Sequence, residues 1–186
     1  MTPAEELQLL QKIQSDRKEF GVLFEYYYKP IFGYLYRRTG SYDTAKDMAA
    51  ETFIKAFLRI DSFVWRNISL SSWLYRIATN EANQYFRKKK YRPVTLDSIL
   101  DFETFQQPDS EEERNKLESE LRQLEDFNLI RQKLASLDIR YQEVIALRYF
   151  ENKDNREISV ILRKPEGTIK SLLSRGLEKL RLLVNA

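Results

Sequence analysis

Asp154-Asn155-Arg156-Glu157-Ile158-Ser159-Val160-Ile161-Leu162-Arg163-Lys164-Pro165-Glu166-Gly167-Thr168-Ile169-Lys170-Ser171 reads as a helix, a short turn and the start of a second helix. Asp154 offers a carboxylate to a free amide, and Glu157 follows three residues on, the spacing of a capping box. Ile158, Ile161 and Leu162 form an apolar stripe, which Arg163-Lys164 breaks. Pro165 fits a first helical turn, and the charge of Glu166 complements the dipole there. At about 100° per residue, the second helix gathers Ile169, Leu173, Leu177, Leu180 and Val184 on one side. Lys170, Ser171, Ser174, Glu178 and Arg181 fall opposite, with Arg175 at their edge. A second helix that shows short hydroxyls and cations suits a major groove, where cations meet phosphates and an Arg reads guanine through two hydrogen bonds. The solvated face of an ordinary helical hairpin has the same pattern, so periodicity alone leaves both readings open.

Outward from this stretch, helical periodicity dominates the 186 residues, and only 5 Gly and 5 Pro punctuate them. Thr2 can cap a first helix with Pro3 at its first position. A second helix is expected from about Arg17 to Tyr28, and Pro30 restarts a third through Arg38. Gly40-Ser41 breaks it, and another runs from Asp43 to Ile60. A polar-aromatic loop from Ser62 to Ser71 precedes a helix that starts near Ser72 and reaches Arg87-Lys88-Lys89-Lys90. Pro93 stops that helix. The pattern returns from about Asp126 in three or four short helices ending near Val184. The expected fold is all-α: two small helical domains, residues 1–92 and 127–186, joined by a linker over 93–126.

Charge follows the same division. Residues 1–96 hold 16 basic and 10 acidic side chains, residues 97–126 hold 3 and 11, and residues 127–186 hold 12 and 7. Two basic blocks around an acidic connector suit two modules that face nucleic acid. Cys and His are both absent. Zinc sites and neutral-pH proton shuttles favour those residues, so many enzyme classes are disfavoured and no metal and no cofactor are expected, while carboxylate or lysine chemistry stays open. No apolar run approaches the roughly 18 residues of a membrane span, and the N-terminus is polar and acidic, unlike a signal peptide. No membrane insertion and a cytoplasmic location follow as expectations.

The helix from Asp43 to Ile60 buries Ala45, Ala49, Thr52, Phe53, Ala56 and Ile60 on one side. Asp47 and Glu51 lie opposite, beside Ile54 and Leu58. Carboxylates next to exposed aliphatics suit a protein partner, since interfaces pair an apolar centre with a charged rim. A plain surface face remains open at this point. Asp43, Asp47 and Glu51 as metal ligands are disfavoured, because di-iron helices use Glu-x-x-His and the chain has no His. On the following helix, Leu74, Ile77, Ala78 and Tyr85 make a buried stripe. Arg76, Asn80, Asn83 and Arg87 fall within about a 60° sector opposite. Such a strip of cations and amides can track a phosphate backbone and bond base edges, or can simply be solvated.

Tyr141-Gln142-Glu143-Val144-Ile145-Ala146-Leu147-Arg148-Tyr149-Phe150-Glu151, then Glu157-Ile158 and Gly167-Thr168-Ile169-Lys170-Ser171, resembles region four of the sigma-70 family of bacterial transcription initiation factors, in its extracytoplasmic-function branch; that region reads the −35 promoter box. The resemblance implies that Lys170, Ser171, Ser174 and Arg175 face that box. Phe24-Glu25-Tyr26-Tyr27-Tyr28-Lys29-Pro30, Tyr34-Leu35-Tyr36-Arg37-Arg38, Asp47-Met48-Ala49-Ala50-Glu51-Thr52-Phe53 and Trp73-Leu74-Tyr75-Arg76-Ile77-Ala78-Thr79-Asn80 resemble region two. There the implied roles are docking of Asp47, Glu51, Ile54 and Leu58 on the clamp helices of the largest subunit of core RNA polymerase, and reading of the −10 box by Arg76, Asn80, Asn83 and Arg87. The loop from Phe63 to Ser71 would receive a base flipped out of the melted strand; Trp65 either stacks on it or packs into the domain. The chain departs from the family at Arg163, which stands at the usual turn Gly, at Lys153 and Asn155, usually apolar or aromatic, at Ala50, usually Gln, and at Gly176 inside the recognition helix.

The function so implied is an RNA polymerase sigma factor that directs promoter-specific initiation, with core polymerase and promoter DNA as partners. The family is often held inactive by an anti-sigma factor, and nothing in the sequence identifies one. The linker of 34 residues spans roughly 110 Å when extended, against on the order of 70 Å between two boxes two helical turns apart. The alternative is a free-standing helix-turn-helix regulator that ignores core polymerase and reads a palindromic operator.

Overall fold

A computed structural model describes residues 1–65, 68–91 and 132–184, the side chains of 89–91 excepted. The acidic linker over 93–126 lies outside the described residues. Among these residues every regular element is helical.

α1 (Pro3–Ser15) opens with the expected Thr2 cap, and Glu5 closes a capping box. α2 (Phe20–Thr39) ends on Gly40 at φ 70°, the left-handed position that glycine tolerates best. α2 runs straight through Pro30, so the expected restart there does not occur. A proline inside a helix costs roughly 3 kcal/mol. Burial of Tyr27, Ile31, Tyr34 and Leu35 on either side of it offsets that cost. So does a row of rings one turn apart, Phe24, Tyr28, Phe32 and Tyr36, with centroids 5.0, 6.1 and 6.2 Å apart.

Ser41 caps α3 (Tyr42–Arg59) by accepting the Thr44 N–H at 3.3 Å. The stripe Ala45, Ala49, Thr52, Phe53, Ala56 and Ile60 is buried as read. α4 (Leu70–Tyr91) begins two residues before Ser72, because side chains described below take up its first N–H groups.

The second half holds α5 (Ile139–Ile145), continued by a π turn over Ala146–Phe150, then α6 (Asn155–Leu162) and α7 (Glu166–Val184). The Asp154 and Glu157 capping box forms, with N···O distances of 2.7 and 2.9 Å. Arg163 ends α6 in the left-handed region at φ 54°, the conformation that favours the family's glycine. The buried stripe of α7 is Ile169, Leu173 and Gly176, with Leu180 and Leu183 half-buried. Leu177 and Val184, expected inside, are exposed. The seam shifts because Gly176 lets α7 lie close on α5: a Cβ there would sit 3.1 Å from Ile145 Cδ1 and 3.2 Å from Tyr141 Cβ.

One apolar core runs through both halves, from Leu23, Tyr34 and Leu74 to Val144, Leu147, Ile158 and Ile169. Within the described residues the two halves therefore pack against each other. No helix of the described residues is long and apolar enough to cross a membrane.

Candidate polymerase and promoter interfaces

The outer face of α3 carries the first candidate site. Asp47 and Glu51 are exposed, and Ile54 and Leu58 keep 53% and 67% of their surface in water. Glu51 accepts a salt bridge from Lys55 at 3.0 Å. Lys55 reaches across to Glu81 of α4 at 2.7 Å, and that bond, followed by the one to Glu51, raises its pKa. Lys55 thus ties the rim of the strip to α4 and leaves its aliphatic centre free. Among the described residues no group of three acidic side chains converges as a metal site.

The second candidate site, on α4, is divided. Asn80 and Arg87 are exposed. With Asn83, Gln84 and Ile139 they line an open cleft of about 470 Å³ where α5 begins. Asn83 lines the cleft but turns its Oδ1 inward, where it is buried without a hydrogen bond among the described residues. Arg76, one helical turn before Asn80, is not free. Its guanidinium donates from Nε at 3.1 Å, and also from Nη2, to the main-chain carbonyl of Val160 on α6. Burial, followed by the nearby charge of Arg163, lowers its pKa. Trp65 packs against the core and is only half-buried, so part of its ring stays open to a partner.

On α7, the third site, Lys170, Ser171, Ser174 and Arg175 are all exposed on one face. Ser171 turns its hydroxyl back to the Gly167 carbonyl at 3.0 Å. That leaves the two cations as the long side chains at the front of the helix.

The sequence reading missed the seam between the halves. Glu151, with 4% of its side chain exposed, accepts from Arg37 of α2 and from the Tyr75 hydroxyl of α4. Burial, then the Glu151 charge, raises the Tyr75 pKa far above the ordinary phenol value. Lys153 donates to Ser71 at 2.8 Å, pairs with Glu157 at 3.1 Å and lies 5.2 Å above the Tyr75 ring. So the lysine that departs from the family's apolar residue works across the seam. Residues 37 and 151 stand 114 apart in sequence, and no periodicity links them.

Comparison with known proteins agrees with this arrangement. A model of sigma-70 region 2 matches residues 23–92, and one of sigma-70 region 4 matches residues 127–180. The chain is 34% identical over 185 residues to the ECF RNA polymerase sigma factor SigW of Bacillus subtilis (strain 168), covering 90% of each chain. It is 30% identical over 180 residues to the ECF RNA polymerase sigma factor BldN of Streptomyces coelicolor, covering 96% of this chain and 65% of that one. Among solved structures, CnrH in complex with the cytosolic domain of CnrY aligns with a TM-score of 0.69 over 97% of both chains, at 19% identity. The sigma factor RpoE in complex with the anti-sigma factor NepR from Bartonella quintana gives 0.64 over 91% of this chain and 98% of that one, at 21%. At those identities the two structures speak for the fold alone. The matches to both halves, in this order, and to SigW over 90% of its length show that the chain belongs to the sigma-70 family, as an RNA polymerase sigma factor of the extracytoplasmic-function type.

Proposed function

We propose that this sigma factor docks on the clamp helices of core RNA polymerase through Asp47, Glu51, Ile54 and Leu58, reads the −35 box with Lys170, Ser171, Ser174 and Arg175, and captures the −10 box with Arg76, Asn80, Asn83, Arg87 and Trp65. Residues 1–92 and 127–186 then act as separate modules on one promoter, with 93–126 as the tether. The chain supplies affinity and position, and phosphodiester chemistry belongs to the polymerase.

The observation that carries the docking assignment is the α3 strip, where two large aliphatics, Ile54 and Leu58, stay more than half exposed beside the carboxylates of Asp47 and Glu51. Solvent gives no reason for that pattern, and a partner with an apolar ridge and a basic rim does. A free-standing regulator would turn such a strip to a second copy for dimerisation, a reading that the sigma-70 region 2 match over residues 23–92 does not favour. Because Arg76 is held by α6, use of the −10 strip requires the second half to swing away from α4. A partner that favours the packed arrangement would keep the factor off promoters. RpoE was solved with an anti-sigma factor, and a protein of that kind is the expected regulator here.

Asp47→Ala with Glu51→Ala tests docking: retention on immobilised core polymerase should fall at least about tenfold, the loss of two rim carboxylates. Equal retention removes the assignment. Lys170→Ala and Arg175→Ala test recognition in run-off transcription. Each should weaken use of the cognate promoter, and Arg175→Ala should also relax base preference if it reads guanine.

A further inference from the structure

The first N–H groups of α4 are satisfied from two directions. A helix leaves its opening amides without partners in its own ladder. Ser69 takes the Ser72 N–H at 3.0 Å. The Leu70 and Ser71 N–H groups go instead to the carboxylate of Glu6, at 2.9 and 3.3 Å. Glu6 belongs to α1, 64 residues upstream of Leu70, and is 3% exposed. Its carboxylate also accepts the Tyr27 hydroxyl. A buried carboxylate is costly unless bonded, and a helix N-terminus is where its charge is best received. α1 makes a second bond to the same connection: Gln14 donates its Nε2 to the Phe63 carbonyl at 3.3 Å. Glu6 and Gln14 are eight residues apart on one rigid helix, about 12 Å. They hold the two ends of the segment that links α3 to α4 and carries Trp65. The region 2 match begins at residue 23, so both tethers come from outside it.

We infer that α1 is a splint for promoter opening, with Glu6 and Gln14 as positioning residues that fix Phe63 and the Leu70–Ser71 start of α4 and so set where Trp65 meets the melted strand. The inference rests on the reading of Trp65 and its connection as the receiver of a flipped base. Anchors held in place spare Trp65 an ordering cost when it takes up a base, and anchors released would restore that cost.

The test uses the full-length chain reconstituted with core polymerase. Permanganate reactivity of unpaired thymines is read on a duplex promoter and on the same promoter mismatched across the −10 box. Glu6→Ala should cut duplex opening about fivefold, the usual cost of a lost cap. Gln14→Ala, an exposed position that leaves the core intact, should cut it about twofold, the cost of one hydrogen bond. Both should bind core as wild type does and recover on the mismatched template. Ile13→Val, buried in the same helix and taking no part in either tether's hydrogen bonds, should lower the melting temperature without changing opening. Wild-type duplex opening by Glu6→Ala and Gln14→Ala, alongside a defect in Trp65→Ala, would overturn the splint and spare the reading of the connection. An equal loss in Ile13→Val would overturn it too, by reducing the effect to stability. Wild-type opening by Trp65→Ala would remove the reading of the connection, and the splint with it.

Discussion

At the residue scale, two departures from the family pattern resolve differently. Arg163 takes the left-handed turn with a side chain that disfavours it. Arg163→Gly should therefore raise stability by about 1 kcal/mol, measured by urea unfolding, with the C-terminal fold unchanged. Gly176 costs a similar amount in helix propensity, yet it is the contact that seats α7 on α5. Gly176→Ala should lower stability by about 1–2 kcal/mol in the same assay, because overpacking against Tyr141 and Ile145 outweighs the propensity gained. A stabilised Gly176→Ala would mean that the two side chains can give way. Both residues were visible in the sequence as anomalies. Only the packing distinguishes the strained one from the necessary one.

At the element scale, helix identity and sidedness were legible because caps and apolar stripes are local. The Asp154 box, the Gly40 stop and the buried face of α3 all stand where the spacing put them. Pro30 misled because propensity is local while the burial that overrides it is not. The seam of α7 misled because a helical projection cannot know that a glycine will count as a contact. The exposure of Asp47, Ile54, Leu58, Lys170 and Arg175 was equally legible. The engagement of Arg76 was not, because its acceptor is a backbone atom on another element.

The helix contacts also fix a pH response. Burial raises the pKa values of Tyr27, Tyr34 and Tyr75, the carboxylates of Glu6 and Glu151 adding to it at Tyr27 and Tyr75. A raised folded-state pKa means that the native chain keeps protons which the unfolded chain gives up. Their stability is thus complete below about pH 10, the ordinary tyrosine value, and is lost as pH rises beyond it. The expected slope is at most about 1.4 kcal/mol per pH unit for each tyrosine. Thermal melts between pH 8 and 11 should show it, and Tyr75→Phe should make the fall shallower.

At the scale of the whole molecule, the two halves share one apolar core and a polar seam centred on Glu151. Removing its carboxylate leaves Arg37 and Tyr75 without their acceptor in the seam. Glu151→Ala should cost on the order of 3 kcal/mol of that contact, because breaking a buried pair strands the partner charge. Small-angle X-ray scattering should record a larger radius of gyration, and unfolding, expected as one transition in the wild-type chain, should split into two. An unchanged radius would show that the apolar core alone holds the halves together. The bond from Arg76 to Val160 adds a different kind of constraint. Its acceptor is an oxygen that every amino acid carries, so no side-chain replacement at position 160 deletes it. Side-chain changes at position 160 therefore leave the acceptor in place, and tuning of this fastening through side chains falls to position 76, with the polar neighbours around Glu151 and Lys153 and the shared apolar core setting the rest of the contact.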